Sequence, residues 1–362
     1  MHVPSILRRS RRGRAAAAGL AATLVGALAA AALAGCGSSS ASSSSSLRLG
    51  YFPNLTHAGA IYGVAQGTFQ QALGPVKLEA SKTFNAGPAA VEALFANQID
   101  ATFIGPNPAV NAYIKSKGAA VRIVAGATSG GASLVVKPGI TTVADLKGKK
   151  IATPQLGNTQ DVALRYYLKQ HGLSTTTAGG GDVSVVPQDN SQTIDTFEQG
   201  RIDGAWVPEP YAARLVTEGG GHVLVDERTL WPDGRFATTV LLVRTDYLRA
   251  NPQAVQNLIR GEINANKAMA ANPQQAQQVV NGRIRQLTGK GLKPAALAAA
   301  WKTMTFTEDP IPSSVLVSAQ HAQDVGLLDL SGMQFSDLQG LFDLTQLNAV
   351  LKASGQPEVS AS

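Results

Sequence analysis

The chain has 362 residues, is 44% hydrophobic and 15% charged, and carries a formal charge of +7 with a single cysteine, Cys36. That count excludes a disulfide framework and a Cys-ligated zinc. The charge makes no case for nucleic-acid binding either, because Arg8, Arg9, Arg11, Arg12 and Arg14 all precede residue 36 with no acid beside them, leaving 26 basic against 24 acidic residues beyond it.

Those arginines are followed by an Ala/Leu/Val run from Ala15 to Leu33 and then by Leu33-Ala34-Gly35-Cys36. A charged start, an apolar stretch and a small-residue cleavage site form an export leader over residues 1–35. Leu-Ala-Gly-Cys is also the pattern at which bacterial lipoproteins are cut and acylated, which assigns Cys36 to lipidation. A membrane-spanning anchor over 15–33 is the alternative, weakened by the alanine content. The paired arginines are compatible with Tat as well as Sec export. Residues 36–46, dominated by serine, have nothing apolar to bury and read as a tether. The expected product is a body of about 315 residues held to the outer face of the bacterial cytoplasmic membrane, large enough for two domains or one large α/β unit.

Along that body, strands are expected at Leu47–Phe52, Val76–Ala80, Ala101–Ile104, Val121–Ala125 and Ser133–Val136, with helices between them. Asn85-Ala86-Gly87-Pro88 opens one of these helices, and another follows Pro108. The alternation restarts after Pro138, with strands at Ile151–Thr153, Val183–Val186, Gly204–Val207 and Thr239–Val243, and helices at Thr159–Gln170 and Thr193–Gln199. Such alternation implies parallel βαβ units, hence an α/β fold. From Asn251 only helices are expected, two opened by Asn251-Pro252 and Asn272-Pro273 and others near 294–303, 313–325 and 343–353.

One unit occurs twice. Phe95 to Pro108 and Phe197 to Pro210 each run from a helix end through an Ile-Asp turn and a short apolar strand into a Pro-x-Pro step. The step sets Asn107 and Glu209 at the carboxyl ends of strands, the edge where open α/β sheets hold ligands. Gly157-Asn158-Thr159-Gln160-Asp161 opens a helix after a strand and can offer free N–H groups and neutral donors to an anion. Asn54-Leu55-Thr56-His57 and Thr128-Ser129-Gly130-Gly131 read as equivalent post-strand loops. None of these loops contains Lys or Arg. The candidate ligand-binding residues are therefore Asn54, Thr56, His57, Gly105, Asn107, Ser129, Gly130, Asn158, Thr159, Gln160, Glu209 and Tyr211. A carboxylate at Glu209 would repel a bare anion, so it either caps a helix or meets a positive group on the ligand.

Several of these segments resemble the substrate-binding proteins of ABC importers in the nitrate/sulfonate/taurine group. They are Gly50-Tyr51-Phe52-Pro53-Asn54, Glu92-Ala93-Leu94 with Ile99-Asp100-Ala101, Asp145 to Ala152, Leu164 to Leu168, and Ile202-Asp203-Gly204-Ala205 through Glu209-Pro210-Tyr211. The resemblance covers about Leu47 to Tyr247. It implies the two-lobed type 2 periplasmic binding protein fold, each lobe a mostly parallel sheet flanked by helices, with a helical tail returning to lobe one. The implied lobes are 47–137 with 243–362, and 138–242, the chain crossing near 137–142 and 237–243. It also implies a monomer that captures a sulfonate, taurine or nitrate and delivers it to a permease and its ATPase, without cofactor, metal or nucleic acid. Two alternatives stay open. One is a neutral heterocycle such as a thiamine or riboflavin precursor, stacked on Tyr51, Phe52, Trp206 or Tyr211. The other is a biosynthetic enzyme of the same fold, although His2, His57, His171, His222 and His321 show no metal-ligand spacing and no nucleotide or hydrolase motif occurs.

Overall fold

The computed structural model describes residues 46–361; the leader, Cys36 and almost all of the serine tether lie outside the described residues. The first part of the chain forms β1 (Ser46–Tyr51), α1 (Ala58–Ala65), α2 (Thr68–Leu73), β2 (Lys77–Thr83), α3 (Gly87–Phe95), β3 (Ala101–Ile104), α4 (Pro106–Lys115) and β4 (Val121–Gly130). The middle forms β5 (Ala132–Val136), β6 (Lys150–Thr153), α5 (Thr159–Gln170), β7 (Ser184–Pro187), α6 (Asn190–Glu198), β8 (Gly204–Pro208), α7 (Tyr211–Thr217) and β9 (His222–Asp226). The rest forms β10 (Ala237–Arg244), α8 (Thr245–Ala250), α9 (Pro252–Ala271), α10 (Pro273–Thr288), α11 (Pro294–Trp301), β11 (Met304–Phe306), α12 (Pro312–Asp324) and α13 (Thr345–Ala353).

Two sheets result, ordered β11-β4-β10-β3-β1-β2 and β7-β6-β8-β5-β9, and each centres one lobe. The βαβ portions are parallel, as the alternation implies: β1 with β2 and β3, and β6 with β7 and β8. The strands next to the crossings are antiparallel, β10 and β11 in the first sheet and β5 and β9 in the second. The chain leaves the first sheet at Gly131 and returns to it between β9 and β10, upstream of the expected 137–142 and 237–243.

Period-2 alternation decides how the second sheet packs. On β5, Leu134 and Val136 join Ile151, Leu164 and Trp206 on one face, while Val135 joins Ala152, Val207 and Phe197 on the other. The larger of these side chains, Val, Leu, Ile and Phe, contribute about 1.5–3 kcal/mol each when fully buried. The helical tail packs on lobe one, where β11 pairs with β4 and the Asp343 N–H donates to the Ile123 carbonyl at 3.0 Å. No helix among the described residues is long and apolar enough to cross a membrane.

The repeated Ile-Asp turn performs one task in both lobes. The Asp100 N–H donates to the Arg48 carbonyl at 2.8 Å, its carboxylate accepts from the Arg48 N–H at 2.9 Å, and its carbonyl accepts from Arg244 at 2.9 Å. Asp203 makes the same set with Lys150, at 2.7 Å and 2.8 Å, and with Lys137 at 2.9 Å. Each aspartate thus ties a parallel neighbour and an antiparallel neighbour to the strand it precedes.

Candidate functional site

Five helix starts converge between the two sheets. From lobe one come the 3-10 turn Leu55–His57 leading into α1, the start of α3 at Asn85 and Ala86, and the start of α4 at Gly105. Lobe two supplies the starts of α5 at Asn158–Gln160 and of α6 at Asn190. First-turn N–H groups lack partners within their own helix and carry about half a positive charge per helix, so their convergence favours an anion. Phe52, Thr56, Pro208 and Thr238 complete the lining, and among the described lining residues none is Lys, Arg, Asp or Glu.

The side chains in this cleft are neutral donors and acceptors. Burial holds the His57 pKa down at about 3, so the ring is uncharged at neutral pH. Its Nδ1 accepts from the Phe52 N–H at 3.4 Å, which assigns the ring proton to Nε2, and the ring stacks on Phe52 at 4.4 Å. Thr159 and Asn190 are buried, yet Thr159 Oγ1 and Asn190 Oδ1 have no hydrogen-bond partner. A buried polar atom without a partner costs about 1–3 kcal/mol, which a ligand filling the cleft can offset.

A buried network fixes the lobe-two edge. Asp161 accepts from Thr153 Oγ1 at 2.8 Å, from the Gly157 N–H at 3.0 Å and from Arg165 Nε at 3.1 Å, and Arg165 is held in turn by the Thr176 carbonyl at 2.7 Å. Gly157, at φ +74°, takes the left-handed turn that points this loop at lobe one. The lobes meet closely. A Cβ on Gly105 would lie 2.5 Å from Thr159 Oγ1, and the Leu55 N–H donates to the Glu209 carbonyl at 3.1 Å. The enclosed space is about 20 Å³, room for one water, so any larger solute enters only when the lobes part.

Of the residues expected from sequence, Asn54, Thr56, His57, Gly105, Asn158, Thr159 and Gln160 lie together along this cleft. Five do not. Asn107 is committed to α12, its Nδ2 donating to the Ser318 carbonyl at 3.1 Å and its Oδ1 accepting from Ser318 Oγ at 2.7 Å. Ser129 and Gly130 belong to no loop: β4 runs through them, paired with β10 and β11, and Ser129 Oγ accepts from the Phe236 N–H at 3.2 Å. Glu209 turns back to cap α7, accepting from the Ala213 N–H at 3.0 Å and from Thr303 Oγ1 at 3.4 Å, and burial pushes its pKa up to about 7. Tyr211 packs on the lobe-two core.

Asn85 and Asn190 are additional members. Each opens a helix soon after a strand, the signal that marked Asn158, but the α6 start was expected three residues later, beyond Asn190. Among the aromatic candidates only Phe52 borders the cleft. Tyr51 and Trp206 are core residues, and Trp206 Nε1 is committed to Glu227 at 2.7 Å.

The NMT1-like family profile matches residues 40–282. The chain is 29% identical over 190 residues to the taurine-binding periplasmic protein of Escherichia coli (strain K12), covering 52% of this chain and 57% of that protein. It spans about half the length of the curated relatives it matches. The nitrate-binding protein NrtA of Synechocystis PCC 6803 superposes with a TM-score of 0.71 at 16% identity, covering 88% of this chain and 92% of that one. The alkanesulfonate-binding protein SsuA of Xanthomonas axonopodis pv. citri, solved with MOPS bound, gives 0.66 at 21% identity, covering 79% and 94%. Both likenesses establish the two-lobed periplasmic binding protein fold.

Proposed function

The chain belongs to the NMT1-like family, and on that premise we propose that it is the extracytoplasmic solute-binding component of an ABC importer, capturing a small oxyanion of the sulfonate, taurine or nitrate kind between its lobes. The observation that carries this reading is the charge-free cleft at five helix starts, with Thr159 Oγ1 and Asn190 Oδ1 unpartnered inside it. Neutral donors to an anion are worth about 1.5–3 kcal/mol each, so three or four of them, after ordering costs, give micromolar affinity.

The chain acts as a monomer without a catalytic step. Parting of the lobes admits the solute, and closure presents the surface read by the permease and its ATPase. Cys36 carries the lipid that holds the protein at the membrane, a role tested by fatty-acid labelling, which Cys36→Ala abolishes.

Calorimetric titration of taurine, ethanesulfonate and nitrate tests the ligand class. Asn158→Ala and Thr159→Ala each weaken binding of the best of these by about 1–2 kcal/mol with the fold intact. Absence of binding by all three solutes overturns the assignment, and unchanged affinity in both variants removes this loop from the site.

A further inference from the structure

Away from the cleft, α5, the segment after β9 and α12 enclose a second cavity of about 190 Å³. Its walls are largely aromatic. Tyr166 stacks on His321 with ring centroids 3.5 Å apart, Tyr167 meets Trp206 edge-on at 5.5 Å, and Trp231 stacks on Phe236 at 5.5 Å. The cavity shares no lining residue with the cleft.

Glu227 lines this cavity and is only 2% exposed. Its Oε2 accepts from Trp206 Nε1 at 2.7 Å, and the carboxyl also accepts from the Trp231 side chain. Two indole donors favour the carboxylate, while burial pushes its pKa up to about 7. No Lys or Arg forms an ion pair with it among the described residues. Asp226, Asp324, His171 and the phenols of Tyr166 and Tyr167 are other titratable groups around it and His321.

A buried carboxylate without a cation, set among the rings of two tyrosines and a tryptophan, is half of a recognition pair. Ring faces carry negative charge density and attract cations, more strongly when water is excluded. A divalent metal needs more oxygen ligands than one carboxylate supplies. A neutral ring would stack but leave the carboxylate unmet. We propose that this cavity is a second ligand site, for a small organic ammonium ion held by the faces of Tyr166, Tyr167 and Trp231 and by Glu227.

The probe is choline, compared with its uncharged isostere 3,3-dimethylbutan-1-ol, titrated calorimetrically into the unmodified protein at pH 8, above the raised Glu227 pKa. Choline binds at least tenfold more tightly than the alcohol. Glu227→Gln keeps an acceptor for the two indoles and removes the charge, so it weakens choline tenfold or more while leaving sulfonate or nitrate titrations unchanged. Equal binding of choline and the alcohol overturns the proposal, as does absence of choline binding at millimolar concentration or full affinity in Glu227→Gln. The choline–alcohol comparison decides the matter even where that variant fails to fold.

Discussion

The two Pro-x-Pro steps begin alike and end differently. In both, the Ile-Asp turn ties three strands together, and the strand that follows brings its last residue or the next one to the cleft, Pro208 in lobe two and Gly105 in lobe one. Beyond that point neither polar residue lines the cleft. Asn107 is locked to Ser318 on α12, whereas Glu209 is locked to its own helix and to Thr303. The repeat therefore supplies a scaffold that sets backbone at the cleft, and its side chains attach each lobe to the tail. The lobes differ in what the attachment costs: an amide satisfied on both sides in one, a buried carboxyl with a raised pKa in the other.

The strongest way to break this comparison is at Gly105. Its φ of −69° is open to any residue, so Gly105→Val leaves the local backbone unstrained. A side chain there collides with Thr159 and holds the lobes apart. Affinity for the cleft ligand falls at least a hundredfold, about 2.7 kcal/mol, in a titration, with an unchanged circular dichroism spectrum. Native-like affinity would mean that closure does not pass through this contact.

Glu209→Gln sharpens the comparison through pH. With the Glu209 pKa raised from 4.5 to about 7 by burial, the folded state retains a proton the unfolded chain releases, so its contribution to stability declines as pH rises from about 4.5 through 7. The glutamine variant lacks that decline and gains about 2 kcal/mol on the wild type between pH 5 and pH 8, read by urea unfolding at both. The preference between taurine and ethanesulfonate stays the same, because the carboxyl lies outside the cleft. A changed preference would return Glu209 to the site. The smallest effect is expected at Asn107→Ala, which removes two neutral hydrogen bonds and costs about 1–2 kcal/mol of stability with affinity preserved within about twofold.

The same contrast explains what could be read from sequence. Positions where a helix opens directly after a strand, such as Asn158-Thr159-Gln160 and Asn54 to His57, announce themselves because capping chemistry and strand-end placement coincide. Asn107 and Glu209 satisfy the same rule, yet face away because Ser318 and Thr303, some 211 and 94 residues later, claim them. Tail contacts of that kind leave no local signal. Ser129 and Gly130 misled for another reason: Thr-Ser-Gly-Gly is turn-like in composition, but pairing to β10 and β11 overrides it. The parallel βαβ cores were legible from alternation, while β9 went unread, β11 has only three residues, and the antiparallel placement of β10 depends on where the chain crosses between lobes.

Under the proposed function, the cleft holds its anion with dipoles alone and so works against hydration. Without a cation beside it, the charge a solute brings must have its lost hydration returned by hydrogen bonds and helix dipoles alone, a demand that grows with that charge. On that reading capture gains little from long-range attraction, and the expected on-rate is nearly independent of ionic strength.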